Sequence, residues 1–408
     1  MQNSGGAAIL MQQVFEKIAF VCGNAETLMD MPKQRALKPF STETADFLDT
    51  LSGEIRKDPA YRTMPDAASF AFWCRRANVD ILARSYDTEH RLGRGVALHF
   101  APSNIPVLFA FSMAAGLMAG NCCAVRLPSA VTEQAEMICR AVARACEKHP
   151  EFKKRIALFR TSHEKDITDA LSSICDVRII WGGDRSVSDI RRSPLPPRAV
   201  ELPFSDRQSA AVIDAKALLA EEDLTDVLRG FYNDTYLNDQ NACSSPRIVY
   251  WLGESETVKK AKERFWSEFG AFVKEKYNLQ TVSATQKYTE ATTIAAVTEG
   301  AEIISDGNYV VRVSVPELRA EMWLNTAPGG YFIEASGESL EGILPVLTDH
   351  CQTISCFGDV KEKLSQLIEE SGVKGCDRIV SFGQTLDFDL IWDGHDLIET
   401  MSRKITIK

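Results

Sequence analysis

The sequence has no surplus of basic residues and no recognisable export signal. Its 46 lysines and arginines are outnumbered by 56 aspartates and glutamates, which gives a formal net charge of −10 at pH 7. A nucleic acid or an anionic membrane would favour a broad basic surface, so neither is expected as the main partner. The first residues also lack the basic region, apolar stretch and cleavage site of a secretory signal. We therefore expect a cytoplasmic protein.

Short motifs of several common enzyme classes are also missing. The eleven cysteines include no CxxC pair. Neither they nor the six histidines show metal-ligand spacing, so we interpret the thiols as reduced and expect no metal site. There is no GxSxG, HExxH or GxxxxGK(S/T) motif. "GRGVAL" holds only two glycines of a dinucleotide fingerprint and precedes a predicted strand, which argues against that motif.

One stretch could be mistaken for a membrane span. Residues 105–125 contain 21 residues without a charge, which approaches the roughly 20 needed to cross a bilayer. Pro106, Gly116, Gly120 and Asn121 interrupt the stretch, and a strand pattern follows the Gly-Asn turn. A buried helix followed by a central strand explains the same residues, so no membrane span is expected.

The 408 residues are 45% apolar, enough for a large core, and they divide by pattern. Residues 1 to about 85, including "ILMQQVFEKIAFV", have helical spacing, and from Gly95 strands alternate with helices, which predicts parallel doubly wound α/β sheets. The proline-rich "RRSPLPPRAVELPFSDRQS" indicates a domain crossing. We predict N-terminal helices with a nucleotide-binding domain over 1–200, a catalytic domain over 201–385 and a C-terminal return segment over 386–408.

Loops after the predicted strands carry candidate polar residues. Two prolines flank Asn104 in "FAPSNIPV", which suits either a rigid oxyanion-hole amide or a helix cap. Arg126, together with a helix predicted to open near Ser129, suits a phosphate, although a surface arginine and a serine cap would have the same pattern. Gly182 and Gly183 would allow close approach of a pyrophosphate or form a plain tight turn.

Cys243 differs from the other cysteines in its surroundings. It follows a run of amide and acid side chains in "NDQNACSSP", between a predicted helix from about 215 to 232 and the strand "RIVYW". Cys22, Cys74, Cys139, Cys146 and Cys175 lie instead in apolar periodic segments, as buried thiols do. Cys243 is therefore the candidate nucleophile.

Several motifs, taken in order, resemble one family. "GVALHFAPSNIPVLFAFSMAAGLMAGN", "VRLPS", "IIWGGD", "NDQNACSSP", "QTIS", "DRIVSFG" and "WDGHDLI" are similar to the LuxC-type acyl-CoA reductases, a branch of the aldehyde dehydrogenase superfamily. The resemblance runs from about Leu92 to Ile405. It implies an α/β fold with two doubly wound parallel-sheet domains and a small C-terminal strand segment.

The resemblance also implies roles for individual residues. Cys243 is then the nucleophile, Asn104 and the backbone N–H of Cys243 form the oxyanion hole, and Pro102 and Ser103 contact the cofactor. In this reading an acyl thioester acylates the cysteine, and reduction of the acyl-enzyme releases an aldehyde.

The cofactor follows from further positions of the resemblance. Arg126 matches a position that is usually lysine at the cofactor ribose and phosphate, Ser129 matches one that is usually glutamate, and Gly182 with Gly183 matches the pyrophosphate turn. Without the glutamate, a 2′-phosphate is not repelled, so NADP(H) is expected, with NAD(H) as the alternative.

The direction of the reaction depends on a candidate base. Glu201 falls where many aldehyde dehydrogenases carry "ELGG", but Pro203 and Phe204 replace the glycines and the cysteine follows 42 residues later. Glu201 is therefore either a general base or a solvated or linker glutamate. An intact base would favour oxidation of a free aldehyde through the same cysteine, whereas its loss is compatible with a reductase.

Partners are expected by the same analogy. The substrate is an acyl-CoA or an acyl-protein thioester, and an acyl-protein synthetase would deliver the acyl group, as in bioluminescence systems. The final "SRKITIK" is predicted to be a strand that joins a partner subunit, which favours a homo-oligomer. The third alternative is a non-catalytic nucleotide-binding member with an unreactive cysteine.

Alkylation separates a catalytic cysteine from an inert one. We expect limiting iodoacetamide to label Cys243 before the other ten cysteines, because a nucleophile in a polar loop ionises more readily than a buried thiol. Mass spectrometry of the digested protein measures the order of labelling. Labelling of Cys243 that is no faster than that of the other thiols contradicts the assignment.

Overall fold

Two compact units make up the protein in the computed structural model, which describes residues 4–408, with side chains from residue 9 onward except that of residue 306. The first unit contains the residues up to Ser205 together with Leu390–Lys408, and the second contains Asp206–Asp389. The second unit thus begins five residues after the predicted boundary at 201. The C-terminal segment belongs to the first unit.

The N-terminal part of the first unit carries nine α-helices and seven strands within residues 4–205. The helices are α1 (Ser4–Phe15), α2 (Ala25–Asp30), α3 (Thr42–Arg56), α4 (Pro65–Trp73), α5 (Arg76–Ala83), α6 (Leu108–Met118), α7 (Glu133–Lys148), α8 (Lys165–Ser173) and α9 (Asp184–Arg191). The strands are β1 (Ala19–Cys22), β2 (Arg91–Gly93), β3 (Val96–Phe100), β4 (Cys122–Arg126), β5 (Ile156–Arg160), β6 (Val177–Trp181) and β7 (Val200–Phe204).

The first sheet has the order β1-β5-β4-β3-β6-β7 and is parallel except for β1. Every residue of β3 and β6 is buried, as expected for central strands with helices on both faces. All of α6 is buried as well, and β4 follows it after a short turn. The charge-free stretch over 105–125 therefore forms a core helix and a core strand, as predicted.

One prediction for the first unit was wrong in detail. The segment "ILMQQVFEKIAFV" is not one helix, because α1 ends at Phe15 and β1 then pairs antiparallel with β5, with Phe20 opposite Phe159. Aromatic and β-branched residues suit such an edge strand. The proline-rich stretch also contains a strand, β7, in which Pro203 is tolerated because β7 is the last strand of the sheet.

The second unit, Asp206–Asp389, forms a seven-stranded sheet with the order β10-β11-β12-β9-β8-β13-β14, in which only β10 is antiparallel. Its strands are β8 (Gln208–Asp214), β9 (Pro246–Leu252), β10 (Glu302–Asp306), β11 (Val310–Ser314), β12 (Tyr331–Gly337), β13 (Cys351–Phe357) and β14 (Arg378–Ser381). Its helices are α10 (Ala215–Ala220), α11 (Thr225–Thr235), α12 (Ser255–Lys276), α13 (Thr281–Val297) and α14 (Lys361–Ser371).

The helix predicted over 215–232 is interrupted. Asp223 accepts hydrogen bonds from the backbone N–H and the hydroxyl of Thr225, at 2.8 and 2.7 Å. Such a side-chain acceptor competes with helical hydrogen bonds and starts a new helix instead. The segment therefore forms α10 and α11, and the end of α11 leads into the loop of Cys243.

The chain ends in the first unit. Leu390–Lys408 contains β15 (Ile391–Trp392), β16 (His395–Asp396), α15 (Leu397–Met401) and β17 (Ser402–Lys404). The strand predicted in "SRKITIK" is present as β17, but it pairs antiparallel with β2 of the same chain. Assembly into a homo-oligomer stays a prediction.

The described residues contain neither a membrane-spanning helix nor a metal-binding cluster. Among residues 4–408, no helix has both the length and the apolar character needed to cross a bilayer. Within the same range, no group of three or more histidine, cysteine, aspartate or glutamate side chains is arranged to hold a metal ion.

Candidate active site

Cys243 lies in the loop between α11 and β9, three residues before the strand. Its side chain is partly exposed, whereas Ser244 and Ser245 are buried. The Ser209 hydroxyl donates to the carbonyl oxygen of Cys243 at 2.7 Å and accepts from the backbone N–H of Thr353 at 3.1 Å. The amino ends of β8, β9 and β13 thus hold the backbone of the cysteine in place.

Two polar side chains, one hydrogen-bond donor and one cation, act on the thiol. Gln352, on β13, is fully buried and donates from Nε2 to Sγ of Cys243 at 3.3 Å. Arg247, on β9, interacts electrostatically with Cys243. Burial lowers the pKa of Arg247 to about 10, which leaves the guanidinium charged at neutral pH. A hydrogen-bond donor and a nearby cation both favour the thiolate, which is the nucleophilic form of cysteine.

The residues before the cysteine form a strained turn. Asp239 and Gln240 have φ angles of +50° and +59°, in the left-handed region that residues other than glycine rarely adopt. The side-chain oxygen of Gln240 accepts from the backbone N–H groups of Gly330 and Tyr331, and its Nε2 donates to the carbonyls of Pro246 and Tyr331. The amide of Gln240 therefore fixes this turn to the amino ends of β9 and β12.

Most other cysteines are in surroundings that suppress ionisation. Burial raises the pKa of Cys122 to about 11 and that of Cys175 to about 12. Burial raises the pKa in the same direction for Cys74, Cys123, Cys139, Cys351, Cys356 and Cys376.

Cys22 is an exception that the sequence pattern did not reveal. We predicted a buried thiol, but Cys22 is only half-buried on the edge strand β1. A hydrogen bond from Cys146 lowers the pKa of Cys22. Cys22 is therefore the competitor of Cys243 in an alkylation experiment.

The first unit brings several other candidate residues to one edge of its sheet. Strand order reverses between β3 and β6, because β4 and β5 continue on one side of β3 and β7 lies on the other side of β6. Nucleotides bind outside the carboxyl ends of strands at such a switch point. The loops that follow these two strands contain Pro102, Ser103 and Asn104 in one case and Gly182 and Gly183 in the other.

The glycine pair connects β6 directly to α9. Gly183 is the N-cap residue of α9 and has no side chain to cover the first amides of the helix. A Cβ added at Gly182 would lie 3.2 Å from Cβ of Ser186, closer than ordinary contact. The pair thus keeps a helix N-terminus near the strand end, where it can bind an anion such as a pyrophosphate.

Arg126 ends β4 and extends toward the loop after β5. Its Nη2 lies 2.9 Å from Nδ1 and 3.0 Å from Nε2 of His163. Its Nε is buried and has no hydrogen-bond partner among the residues that the structure describes. The guanidinium lowers the pKa of His163, as expected for two groups that cannot both be charged at low energy. An anion bound between Arg126 and His163 would relieve this conflict.

Ser129 is not at a helix start. The helix α7 begins at Glu133, where Thr132 caps it by accepting from the N–H of Ala135. Ser129 lies in the exposed loop between β4 and α7. The prediction that a helix begins beside Arg126 was therefore wrong. The polar group beside the Arg126 guanidinium is the imidazole of His163.

Asn104 lies in the loop between β3 and α6. Asn104 is exposed, and α6 begins at Leu108 with Val107 as N-cap residue, so Asn104 is not the N-cap residue of this helix.

Glu201 lies on β7 of the first unit, and its side chain is 14% exposed. Its two carboxylate oxygens accept from Arg178 Nε at 2.7 Å and from Arg191 Nε at 2.6 Å. This ion pairing favours a structural role for Glu201 over that of a base. The alternative of a solvated or linker glutamate does not apply either, because Glu201 lies on a strand and is mostly buried.

Three residues of these sites, Gln352, Arg247 and His163, had no predicted role. Gln352 opens the motif "QTIS", which entered only as part of the family resemblance. Arg247 lies just after "NDQNACSSP". His163 carried no pattern at all. A search for amides and cations at the amino ends of the strands beside Cys243 would have found the first two.

Comparison with known proteins adds to this geometry. The family model described as acyl-CoA reductase (LuxC) matches residues 75–404. The chain belongs to the LuxC family. It is 26% identical over 165 residues to a long-chain acyl-protein thioester reductase of Aliivibrio fischeri, which covers 40% of this chain and 33% of that protein. To the reductase of the same name from Photorhabdus luminescens it is 24% identical over 325 residues, 77% of this chain and 63% of that protein.

The matches span less than two thirds of these LuxC relatives' own lengths.

The fold is that of the aldehyde dehydrogenases. An indole-3-acetaldehyde dehydrogenase in complex with NAD+ has a TM-score of 0.65 and 11% identity, with 98% of this chain and 88% of that chain covered. The predicted fold class is confirmed.

Replacement of Gln352 in this LuxC-family protein tests how its amide donor affects the thiol of Cys243. We expect Gln352→Met, which keeps the volume but not the N–H groups, to slow iodoacetamide labelling of Cys243 at neutral pH by roughly tenfold, because a hydrogen bond to a charged acceptor contributes about 1.5–3 kcal/mol. Gln208→Met is the matched control, since Gln208 donates to the Trp323 carbonyl instead. An equal labelling rate in wild type and Gln352→Met contradicts the role.

Proposed function

We propose that the protein reduces an activated acyl group, an acyl-CoA or an acyl-protein thioester, to an aldehyde with NADPH. The observation that carries this proposal is Cys243, whose partly exposed thiol accepts a hydrogen bond from the Gln352 amide and interacts electrostatically with Arg247. Membership of the LuxC family and the printed names of its relatives support an acyl thioester as substrate. Overall, an acyl thioester, NADPH and a proton would give an aldehyde, a free thiol and NADP+.

The chemistry at the cysteine can be written from its surroundings. The thiolate of Cys243 attacks the thioester carbonyl, and the new S–C bond produces a tetrahedral oxyanion. The oxyanion would be stabilised by the Asn104 side chain and the backbone N–H of Cys243. Loss of the leaving thiolate, which takes up a proton, gives an acyl-cysteine. After reduction, the thiohemiacetal releases the aldehyde and restores the thiolate.

The cofactor supplies hydride to the acyl-cysteine when it is bound. Gly182 and Gly183 would bind its pyrophosphate at the N-terminus of α9, and Pro102 and Ser103 would contact it from the loop after β3. Arg126 would bind the 2′-phosphate of NADP(H), beside Ser129.

The buried Nε of Arg126 and its contact with His163 fit such an anion. NAD(H) stays the alternative, because a solved structure of the same fold is a complex with NAD+.

The proposed direction is reduction. Hydrolysis of an acyl-cysteine needs a base that activates water, and the carboxylate of Glu201 is bound by Arg178 and Arg191. An acyl-enzyme without such a base persists until it is reduced. Delivery of the acyl group by an acyl-protein synthetase belongs to the proposal as well, and it rests on the family resemblance.

Turnover in the absence of the nucleophile tests the proposed function. With acyl-CoA and NADPH, we expect Cys243→Ala to lower the rate of NADPH oxidation by at least about a thousandfold, because no acyl-enzyme forms. Absorbance of NADPH measures the rate, across several acyl chain lengths. Cys22→Ala, which removes another partly exposed thiol, is the control and should retain the wild-type rate. Acyl-dependent turnover that survives in Cys243→Ala contradicts the proposal.

Nucleotide binding tests the 2′-phosphate site without turnover. We expect Arg126→Ala to weaken binding of 2′,5′-ADP by roughly ten- to a hundredfold and that of 5′-AMP much less, because charge-assisted hydrogen bonds contribute about 1.5–3 kcal/mol. His163→Ala should have a smaller effect in the same direction. Calorimetry measures both affinities. Arg160→Ala is the control, since Arg160 is paired with Glu136 at 2.6 Å. Equal affinities for the two nucleotides in the wild type favour NAD(H).

A further inference from the structure

Lys287 is a buried cation that the proposed reaction does not use. It lies on α13 of the second unit, and its side chain is 0% exposed. Its ammonium donates to the backbone carbonyl of Gly329 at 2.6 Å and to that of Asn308. Both acceptors are neutral, and burial lowers the pKa of Lys287 to about 8. Burial of a charged group without an opposite charge is unfavourable, so the contacts of this lysine need an explanation.

The carbonyl at Gly329 belongs to a turn that supports the cysteine loop. The backbone N–H of Gly329 donates to the carbonyl of Asp239 at 2.9 Å, and the N–H of Gly330 donates to Oε1 of Gln240 at 2.9 Å. Gly329 and Gly330 have φ angles of +70° and +94°, so this turn holds its two amides toward the loop only in a conformation that favours glycine.

The surrounding atoms leave no room for a side chain at Gly330. A Cβ at Gly330 would lie 2.0 Å from the Tyr236 hydroxyl and 2.3 Å from the Tyr309 carbonyl. The Tyr236 hydroxyl itself donates to the Tyr309 carbonyl at 2.7 Å. The Asn308 carbonyl bound by Lys287 lies in the neighbouring β10–β11 connection. One ammonium therefore joins this connection to the glycine turn.

We propose that Lys287 is a positioning residue for Cys243. Its ammonium fixes the Gly329–Gly330 turn, which in turn fixes Asp239 and Gln240 in their left-handed conformations. Asp239 and Gln240 then determine the position of the Cys243 thiol relative to the Gln352 amide. The lysine touches neither the thiol nor the substrate, so it acts through the backbone of the turn. This inference rests on the proposed function only in its kinetic test.

Replacement of the lysine by methionine removes the ammonium and keeps much of the volume. For Lys287→Met we expect faster hydrogen exchange of the loop amides that the turn protects, those of Gln240, Asn241 and Ser245, which donate to backbone carbonyls in the wild type. We also expect kcat for acyl-CoA reduction to fall by about ten- to a hundredfold with KM changed by less than about twofold, because misplacement of a nucleophile impairs the chemical step.

Lys262→Met is the matched control. Lys262 lies on α12 of the same unit, its side chain is 17% exposed, and its amine is 3.7 Å from Oε1 of the buried Glu334. This variant should leave both the loop exchange and kcat at wild-type levels. If Lys287→Met does not fold, Lys287→Gln, which retains two N–H donors without charge, replaces it in the same comparison, with a smaller effect expected.

The two readouts separate failure of the inference from failure of the proposed function. Unchanged exchange of the loop amides in a folded Lys287 variant overturns the inference, whatever the kinetics. Equal changes in the Lys287 and Lys262 variants overturn it too, because they indicate a general loss of stability. A wild type without Cys243-dependent turnover contradicts the proposed function, while faster loop exchange in Lys287→Met still supports the positioning role.

Discussion

The buried side-chain amide of Gln240 is the interaction on which the arrangement around the cysteine depends. It uses both its oxygen and its nitrogen, each for two backbone groups, at the amino ends of β9 and β12. Among side chains, only an amide combines two N–H donors with an oxygen that accepts two hydrogen bonds. These four hydrogen bonds offset the unfavourable left-handed backbone at Asp239 and Gln240. The thiol of Cys243 therefore follows a strained turn that this amide stabilises.

The same arrangement gives the polar run "NDQNACSSP" a structural role. Asp239 and Gln240 bond to the backbone and to Tyr277. The thiol itself accepts a hydrogen bond from Gln352 on β13 and interacts electrostatically with Arg247 on β9. A single loop sequence reveals which cysteine is unusual. It does not reveal which strands lie beside it, because strand order is set by tertiary pairing.

The sheet edge that carries the candidate cofactor residues was easier to predict for a related reason. Alternating strands and helices imply a parallel sheet, and the loops at the carboxyl ends of its strands must lie on one edge. The positions of Asn104, Arg126 and Gly182 at that edge follow from this rule. Ser129 and Glu201 fell outside it, because helix starts and ion pairs depend on individual side chains such as Thr132 and Arg178. His163 was missed since an isolated histidine has no periodic pattern.

The discontinuity of the first unit has a consequence for how the chain folds. Strand β2 pairs with β17, and Arg91 donates to the hydroxyl of Ser402, a partner 311 residues later in the chain. Contacts between such distant residues form late, because loop closure must precede them. During synthesis the second unit is complete before the partner of β2 has left the ribosome. Until then β2 is an unpaired strand edge, which makes the unfinished first unit vulnerable to mispairing with other chains.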